Sequence, residues 1–352
     1  MKICFFGIYT REYPRNDILL TGLKEVGVEV VECQADWRDP KRYFKLWKML
    51  SALHNDYDCV YVAYPSPVAT IIAKLVSNKL VVADAFYSMF DAVVKDRREI
   101  SAWHPRALKL LLLDWLGVMF ADLVITDTKE HQKYWSSWFL VNPNKIHTVY
   151  LGINDKLFYP VNSPHFQNEN QKKEILVHFH GKYIPLQGVP KIIEAARLCR
   201  ENKSIRFRLV GSGHDSPIVR KLVSKYGLRN VEFIDRIPLS DLNKYMSEAD
   251  ILLGIFGNTP KAQRVIPNKV YEGLAARKAL ITMDTKAVRE IFSDIELFLV
   301  ENTSRAIAEA ITLLAKDKKI RDDFAERGYK KVSAYLQINI AQSLVLILSK
   351  YI

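Results

Sequence analysis

The sequence predicts an α/β protein made of two parallel-sheet domains. Apolar runs of strand length alternate with amphipathic runs of helix length along most of the chain, which is typical of parallel sheets. The chain has 352 residues, about two ordinary domain lengths. A polar stretch at 161–173, without periodic apolar residues, separates the two alternating halves. We therefore predict a first domain at 1–160, a linker at 161–173, a second domain at 174–334 and a C-terminal helix at 335–352.

The elements of the first domain follow from apolar periodicity and from helix start and stop signals. The predicted strands lie at 2–6, 28–33, 57–64, 79–84 and 123–126, and 149–152 ends the sheet. The predicted helices lie between a cap at Asn16 or Asp17 and the stop at Gly27, and at 36–54, 67–77, 105–120 and 129–139. The helix at 105–120 is so apolar that we expect it to be largely buried.

The helix at 36–54 has two alternative interpretations. Lys41, Lys45 and Lys48 share one face, whereas aromatic and apolar residues share another. Basic charge interleaved with aromatic residues at helical period indicates a helix on a membrane surface, and the alternative is the solvated face of a core-packed helix. Asp39 is the only acid between Trp37 and Leu53, which favours the membrane interpretation and an anionic membrane as a partner.

Composition and charge narrow the class of protein. Hydrophobic residues make up 49% and charged residues 26%, as in ordinary globular proteins. The formal charge of +12 is uneven, with +2 in residues 1–160 and +10 in residues 161–352. Such a basic half fits nucleic acid, an anionic membrane or a phosphorylated ligand. No zinc spacing, RNA-binding aromatic motif or repeat supports the first, so we predict no nucleic-acid partner.

The cysteines and the apolar segments indicate a cytoplasmic protein. Cys4, Cys33, Cys59 and Cys199 lie far apart in apolar contexts, as buried free thiols in a reducing compartment do. The apolar run that opens the chain is too short for a signal peptide. The longest apolar stretch elsewhere, Leu108–Phe120, is shorter than the ~18 residues that a membrane span needs.

In the second domain, strands are predicted at 175–179, 206–210, 231–234, 251–253 and 279–282, and helices at 190–199, from Ser240, at 268–276, through 288–290, at 306–315 and at 319–334. The segment 254–290 carries the candidate chemistry. Pro267 predicts a helix start, and the free N–H groups of that first turn suit a phosphate beside Lys261, Arg264 and Lys269. One turn further, the Glu272 carboxylate can accept hydrogen bonds from two sugar hydroxyls, so the spacing fits a nucleoside diphosphate. The alternative is that Glu272 is a solvated helix residue.

The chain resembles the retaining glycosyltransferases of family 4 at three places. These are the Lys269-x-x-Glu272 helix with the Leu-Ala-Ala-x-Lys-Ala-Leu-Ile-Thr that follows it, Leu151-Gly152-Ile153-Asn154, and Phe158-x-Pro160. The resemblance implies the GT-B fold, in which two Rossmann-like domains face each other across a cleft and a terminal helix crosses back onto the first domain. It also implies that Glu272 binds the ribose of a nucleoside-diphosphate sugar and that no cofactor is needed.

The same resemblance suggests the other donor-side residues. Family members usually have Gly-Arg and then Lys-Gly after the first strand of the second domain, and this chain has Gly181-Lys182 and Gln187-Gly188. Lys182 keeps one phosphate-binding charge, whereas Gln187 is a neutral donor. The remaining donor-side candidates are Gly7 in the first loop, Gly211 after a strand, Arg236 and Ile237 in a loop over the base, Asn268 at the helix start, and the cations Lys261, Arg264 and Lys269.

Two departures from the family pattern concern the acceptor and the sugar. Family members commonly have a catalytic His at the end of the fourth strand, where this chain has Asp84. Asp84 or Asp91 can orient an acceptor hydroxyl or support positive charge at the sugar carbon, and the alternative is that both are loop caps. Arg264 stands eight residues before Glu272, where the family has a Glu that holds sugar hydroxyls.

We predict a retaining glycosyltransferase with catalytic Asp84, Asp91 and Lys182. It moves a sugar from a nucleoside-diphosphate donor to a hydroxyl of a glycan, a lipid-linked saccharide or a small molecule in the interdomain cleft. No Asp-x-Asp triad follows a strand, and cations can neutralise the diphosphate, so we predict no metal. The alternatives are a nucleotide-sugar epimerase of the same architecture and an inactive nucleotide-sugar or membrane-binding protein.

The end of the helix predicted at 268–276 allows a prediction about the backbone. Arg277 stands where Gly often ends this helix, which predicts a left-handed backbone at Arg277.

Overall fold

The computed structural model describes residues 1–161 and 174–352, so nearly all of the predicted linker at 161–173 lies outside the described residues. The chain divides into two compact units, one formed by residues 1–154 with 335–352 and the other by residues 155–334. Within the described residues, no helix combines the length and the apolar character that crossing a bilayer requires.

The first unit is a six-stranded parallel sheet flanked by helices. Its strands are β1 (Lys2–Gly7), β2 (Glu29–Gln34), β3 (Cys59–Val62), β4 (Leu80–Asp84), β5 (Leu123–Thr126) and β6 (Ile146–Thr148). Its helices are α1 (Pro14–Glu25), α2 (Arg42–Ala52), α3 (Pro67–Val76), α4 (Pro105–Phe120) and α5 (Lys129–Trp138), with the C-terminal helix α12 (Gln337–Leu348). A π-helical turn at Asp91–Asp96 precedes α4.

The strand order is β2-β1-β3-β4-β5-β6, so β2 lies on one side of β1 and all later strands follow on its other side. Ile3 of β1 pairs with Val30 of β2 on one side and with Cys59 of β3 on the other. Because crossovers between parallel strands are right-handed, α1 lies on one face of the sheet, whereas α2, α3, α4 and α5 lie on the other. The carboxyl ends of β1 and β3, where a ligand crevice is expected, therefore meet at one edge.

The C-terminal helix completes the first unit. The N–H of Gln337 donates to the carbonyl of Ile153 at 2.8 Å, and the Gln337 side chain donates to Glu25 at 3.0 Å. Ile340 and Leu344 are buried, and α12 packs against α1. Ile340, Ala341, Leu344 and Leu348 of α12 are thus part of the core of the first unit, whereas Leu346 and Tyr351 are exposed.

Two helices of the first unit begin elsewhere than predicted. The helix expected at 36–54 begins at Arg42, because Asp36 and Asp39 accept hydrogen bonds from the N–H groups of Arg38 and Lys41 in turns around Pro40. The first helix begins at Pro14 rather than after a cap at Asn16 or Asp17. The Asn16 amide donates instead to the carbonyls of Thr10 and Tyr64.

The expectation that 105–120 is a largely buried helix is wrong for one side of α4. Ala107, Asp114, Gly117 and Val118 are buried, whereas Leu108, Leu112, Trp115, Met119 and Phe120 are exposed. Apolar composition alone could not reveal this, because only one side of the helix contacts the sheet.

The second unit is also a six-stranded parallel sheet with flanking helices. Its strands are β7 (Ile175–His180), β8 (Ile205–Val210), β9 (Val231–Ile234), β10 (Ile251–Leu253), β11 (Ala279–Met283) and β12 (Phe298–Val300). Its helices are α6 (Val189–Leu198), α7 (Ser216–Tyr226), α8 (Leu239–Ser247), α9 (Asn268–Ala275), α10 (Ser304–Lys316) and α11 (Lys318–Val332).

The structure tests the predicted helices, strands and backbone of the second unit. Pro267 precedes α9, which covers 268–275. Arg277 has φ of 56°, so its predicted left-handed backbone is confirmed. The helix expected through 288–290 is a single 3-10 turn, and β12 was missed because only three residues form it. Likewise, the first sheet ends at 146–148 rather than at 149–152.

Candidate functional site

The candidate site lies at the switch point of the second sheet. The strand order is β12-β11-β10-β7-β8-β9, so the chain leaves β7 in one direction and later returns to its other side as β10. In such a sheet, ligands bind outside the carboxyl ends of the two strands that flank the reversal. His180 and Gly181 stand at the carboxyl end of β7, and α9 is the helix that follows β10.

Gly181, Gln187 and Lys269 meet at this point. Gly181 has φ of 137°, and a Cβ on it would lie 3.1 Å from Nζ of Lys269 and 3.8 Å from Oε1 of Gln187. The ammonium of Lys269 donates to Oε1 of Gln187 and lies 4.6 Å from the ring centroid of Phe179. The structure therefore brings together the glycine that follows β7, the neutral residue of the predicted clamp and a cation of α9.

The Lys269 side chain is buried, and burial lowers its pKa to about 7, although the nearby Glu272 raises it. A lysine in this state changes its charge near neutral pH. An anion bound beside it would favour the charged form and raise the pKa again.

Glu272 is buried and pairs with His180. The distance between Nε2 of His180 and Oε2 of Glu272 is 2.8 Å. This corrects the alternative of a solvated Glu272, because helix α9 presents almost every residue to the protein interior. Sequence reasoning missed His180, and the available signal was its place directly before Gly181 at the end of a strand.

A second histidine lies behind the pair. His178 is fully buried two residues earlier on β7, and its ring centroid lies 5.4 Å from that of His180. Burial first, and then the positive groups around it, lower the pKa of His178 well below its ordinary value. His178 is thus neutral at physiological pH and lies on the buried side of His180.

The other donor-side candidates surround this cluster to different degrees. Gly211, with φ of 120°, approaches Gly181 so closely that a Cβ would lie 2.2 Å from the Gly181 carbonyl oxygen. Lys182 is exposed, and Asn268 at the start of α9 is half-buried. The backbones of Gly181 and Gly211 therefore lie in close contact beside this cluster.

The remaining donor-side candidates lie in two other loops of the second unit. Lys261 is buried, Arg264 is half-buried, and both lie in the loop between β10 and α9. Arg236 is exposed and Ile237 is half-buried in the loop after β9, the neighbour of β8 at the sheet edge.

In the first unit, Asp84 lies in a buried ion pair. Its Oδ2 accepts from Nε of Arg15 at 2.9 Å and from the Tyr61 hydroxyl at 2.7 Å, and both side chains of the ion pair are fully buried. Burial raises the pKa of Asp84, whereas Arg15 and Tyr61 oppose that rise. Because arginine keeps its proton in proteins, the pair is ionic. Neither partner of Asp84 was found from the sequence.

Of the other first-unit candidates, Gly7 is the last residue of β1, and Asp91 lies beyond the end of β4, which β3 separates from β1. Gly7 ends β1 with φ of 138°, and a Cβ on it would lie 2.7 Å from Oγ of Ser66. The Ser66 hydroxyl accepts from the N–H of Ile8 at 2.8 Å, which closes this loop. Asp91 is buried at the start of the π-helical turn, where its N–H donates to Ser88 at 3.0 Å.

Comparison with known proteins agrees with this fold. Residues 162–331 match the model of the family described as Glycosyl transferases group 1. HepE from Anabaena in complex with UDP and glucose is similar over 99% of this chain and 100% of its own, with a TM-score of 0.73 and 16% identity. A sucrose-phosphate synthase from Thermosynechococcus elongatus is similar over 99% and 98%, with a TM-score of 0.76 and 16% identity.

Two sequence relatives have related descriptions. The N,N'-diacetylbacillosaminyl-diphospho-undecaprenol alpha-1,3-N-acetylgalactosaminyltransferase of Campylobacter jejuni is 25% identical over 54% of this chain and 50% of its own. The alpha-D-kanosaminyltransferase of Streptomyces kanamyceticus is 25% identical over 47% and 43%. The chain thus spans about half the length of these two relatives.

The predicted fold class is therefore confirmed: two parallel six-stranded sheets with flanking helices form the GT-B fold of glycosyltransferases. The resemblance to GT-B glycosyltransferases is confirmed as well. The narrower assignment to family 4 stays a prediction.

Proposed function

We propose that this chain is a retaining glycosyltransferase that uses a nucleoside-diphosphate sugar as donor. The acceptor is a hydroxyl of a glycan, a lipid-linked saccharide or a small molecule. The observation that carries the proposal is the cluster of the buried Lys269, His180 and Glu272 with the half-buried Gln187 at the switch point of the second sheet, inside the region that matches group 1 glycosyltransferases. HepE, which has the same fold, was solved with UDP and glucose, and this supports a nucleotide-sugar donor.

The diphosphate binds at the start of α9 in this proposal. The first turn of α9, from Asn268, offers backbone N–H groups and the positive end of the helix dipole. The exposed Lys182 supplies a mobile cation beside Gly181, and Lys269 supplies a buried one. Lys261 and Arg264 come from the preceding loop, and Gly211 leaves room for the backbone of Gly181.

The ribose and the base bind next to the diphosphate. Oε2 of Glu272 is held by His180, so its other oxygen remains to accept from the ribose hydroxyls. Arg236 and Ile237, after β9, contact the base. Gln187 donates its amide to a phosphate oxygen, since its carbonyl oxygen accepts from Lys269.

The chemistry follows the retaining mechanism that the resemblance implies. The acceptor hydroxyl attacks on the side of the leaving diphosphate, and a diphosphate oxygen takes its proton. Lys182, Lys269 and the N–H groups of α9 stabilise the charge that develops on the leaving group. The proposed reaction requires no metal and no cofactor.

On the acceptor side, the proposal keeps Asp84 and Asp91 as predicted, with a narrower role for Asp84. Arg15 and Tyr61 occupy the Asp84 carboxylate, so this residue fixes the edge of the first sheet rather than taking a proton. Gly7 gives the neighbouring loop its turn. We further propose that the protein acts in the cytoplasm at the inner face of a membrane, which the basic and aromatic surface of 36–54 contacts.

Nucleotide release tests the proposal. A panel of UDP- and GDP-sugars is incubated with the chain, with and without acceptor mixtures, and free nucleotide is measured. Slow release from one donor without acceptor, accelerated by one acceptor, supports a transferase. Conversion of the donor sugar without nucleotide release would identify an epimerase, and donor binding without either reaction would identify an inactive binder.

A crystal soaked with UDP or GDP tests the location independently. The proposal expects the diphosphate at Asn268 and the ribose within hydrogen-bond distance of Glu272. A nucleotide bound away from the start of α9 would refute the assignment of the donor site even if the chain were active.

A further inference from the structure

A small pocket enters the first unit between α3 and α4. Val62 and Ala85 line it at the carboxyl ends of β3 and β4, and Thr70 of α3 and Val118 of α4 line its sides. All of its lining residues belong to the first unit. Its volume is about 30 Å³, which gives room for about two to three groups of the size of a water molecule. The pocket therefore suits a short substituent of a ligand, and it is too small for a whole sugar or for a long acyl chain.

The walls of the pocket are mostly apolar. Ala85, Val118 and Trp135 belong to one buried cluster, and Nε1 of Trp135 donates to the carbonyl of Ala85 at 2.9 Å. Helices α3 and α4 touch where Gly117 and Pro67 line the pocket, since a Cβ on Gly117 would lie 2.7 Å from Cβ of Pro67. A methyl group fits such walls better than a hydroxyl group, which would lose its hydrogen bonds to water there.

One polar group of the pocket has no partner in the protein. Thr70 is 1% exposed, and its hydroxyl makes no hydrogen bond to any residue that the structure describes. By contrast, Oδ2 of Asp114 accepts from the Ser88 hydroxyl and from the N–H of Phe90 at 2.6 and 2.8 Å, and Asp84 is held in its ion pair. Because a buried hydroxyl without a partner is costly, we expect the Thr70 hydroxyl to bind a ligand.

The charges beside the pocket disfavour an anionic substituent. Asp84 and Asp114 both line the pocket, and a carboxylate or a phosphate would lie next to them. An uncharged substituent with an apolar end and one hydrogen-bond acceptor matches both the walls and the Thr70 hydroxyl. An acetamido group has these properties, because it ends in a methyl group and contains a carbonyl oxygen.

Aromatic rings stand beside the pocket. The ring centroid of Tyr64 lies 4.5 Å from that of Tyr87 and 5.5 Å from that of Phe86. Tyr64 and Tyr87 also line the pocket, and Tyr87 is half-buried, so part of its side chain faces solvent. The face of an aromatic ring carries partial negative charge and attracts C–H groups such as those of a sugar ring. A sugar ring that packs on Tyr87 can therefore direct a substituent into the pocket.

We propose that the acceptor presents an N-acetylated amino sugar and that this pocket binds its acetamido group. The methyl group lies against Ala85, Val118 and Trp135, the carbonyl oxygen accepts from the Thr70 hydroxyl, and the sugar ring packs on Tyr87. The inference rests on the proposed glycosyltransferase function, because it names the chemical class of the acceptor in that reaction.

Ligand-observed saturation-transfer NMR with the full chain tests the proposal. The probes are the methyl glycosides of N-acetylglucosamine and N-acetylgalactosamine, compared with the methyl glycosides of glucose, galactose and glucosamine. Thr70→Val removes the hydroxyl and keeps the shape of the side chain, whereas Ala85→Val fills the pocket. The control is Thr312→Val, because the Thr312 hydroxyl donates to the carbonyl of Ala308 in the second unit. Circular dichroism and thermal melting verify that the variants fold.

We expect the acetyl methyl group of an N-acetylated glycoside to receive saturation from the wild type and from the control. Thr70→Val should weaken this binding about fivefold, because one hydrogen bond is lost, and Ala85→Val should abolish it. Equal binding of acetylated and unacetylated glycosides, or stronger binding of the free amine, would overturn the proposal. So would unchanged affinity in both pocket variants. If Ala85→Val does not fold, Thr70→Val decides alone.

Nucleotide release from the donor panel is measured on the same preparations, which separates this proposal from the proposed enzyme function. Binding of N-acetylated glycosides without nucleotide release from any donor would contradict the glycosyltransferase and leave the assignment of the pocket in place. Nucleotide release by a chain that binds no N-acetylated glycoside would contradict the pocket alone.

Discussion

Nε2 of His180 lies 2.8 Å from Oε2 of Glu272, and both side chains are buried. This contact joins the carboxyl end of β7 to the second turn of α9. It therefore links the two elements on either side of the switch point and holds the Glu272 carboxylate in one orientation.

Replacing His180 tests that orientation. His180→Gln keeps a donor nitrogen at about the reach of Nε2, whereas His180→Asn places its amide nearer to the position of Nδ1. We expect the Gln variant to keep most of the nucleotide affinity and the Asn variant to lose about tenfold, because Glu272 is left without its buried partner. Calorimetric titration with UDP and GDP measures the difference. Equal affinities of the two variants would remove His180 as a positioning residue.

Replacing Glu272 tests the ribose contact itself. Glu272→Ala should weaken nucleotide binding by about 1.5–3 kcal/mol, since a charged acceptor of hydrogen bonds is lost. Glu309→Ala, an exposed residue of α10, is the control and should leave binding unchanged. Titration showing the same affinity in both variants would exclude Glu272 from the site.

Lys269 predicts a dependence of nucleotide binding on pH. Its pKa of about 7 means that the free protein holds Lys269 increasingly neutral above pH 7. A bound diphosphate favours the charged form, so binding takes up a proton and affinity falls as the pH rises above 7. Titrations at pH 8 in buffers of different ionisation enthalpy measure this uptake.

A matched pair of variants isolates Lys269. Lys269→Met should abolish the proton uptake, whereas Lys182→Met should weaken binding but leave the uptake in place, because Lys182 is exposed. Proton uptake that persists in Lys269→Met would show that another group titrates.

Asp114 predicts a pH-dependent stability of the first unit. Burial raises its pKa to about 6, although the Ser88 hydroxyl and the N–H of Phe90 donate to it at 2.6 and 2.8 Å. The protonated Asp114 carboxyl therefore contributes to the free energy of unfolding. This contribution is fully present below the unfolded pKa near 4 and is lost as the pH rises through 6. A rise in the pKa of Asp114 from 3.8 to about 6 corresponds to roughly 3 kcal/mol of unfolding free energy.

Asp114→Asn should remove this dependence, so the wild type should gain stability over the variant as the pH falls from 7 to about 4. All six tryptophans lie between residues 37 and 138, and their fluorescence therefore reports unfolding of the first unit alone. A difference between wild type and variant that stays constant with pH would contradict the raised pKa.

Arg277 stores backbone strain at the end of α9. Its φ of 56° is costly for a residue with a Cβ, and its guanidinium also contacts Glu326 at 2.5 Å. Arg277→Gly should be more stable than Arg277→Ala by about 1 kcal/mol, because both lose the half-exposed ion pair but only Gly relieves the strain. Thermal melting of the two variants decides this, and equal midpoints would count against strain at this position.

Local sequence was sufficient for the elements that local physics controls. The helix after Pro267 and the left-handed Arg277 could be predicted, because proline starts helices and the end of α9 requires a special backbone. The alternation of strands and helices predicted the parallel sheets, because parallel neighbours need a helix-length crossover between them. The start of α2 could not be predicted, because turns made by Asp36 and Asp39 compete with helix formation before Arg42.

Only the tertiary structure decided which side chains meet. The pairs His180 with Glu272 and Arg15 with Asp84 are 92 and 69 residues apart in sequence, and the order of strands in each sheet brings them together. Likewise, apolar composition alone could not separate the buried side of α4 from its exposed side, because the position of the sheet decides which side is buried. The sequence thus determined the α/β class and the residue types of the candidate donor site, whereas contacts between distant strands determined the pairing and burial of their side chains.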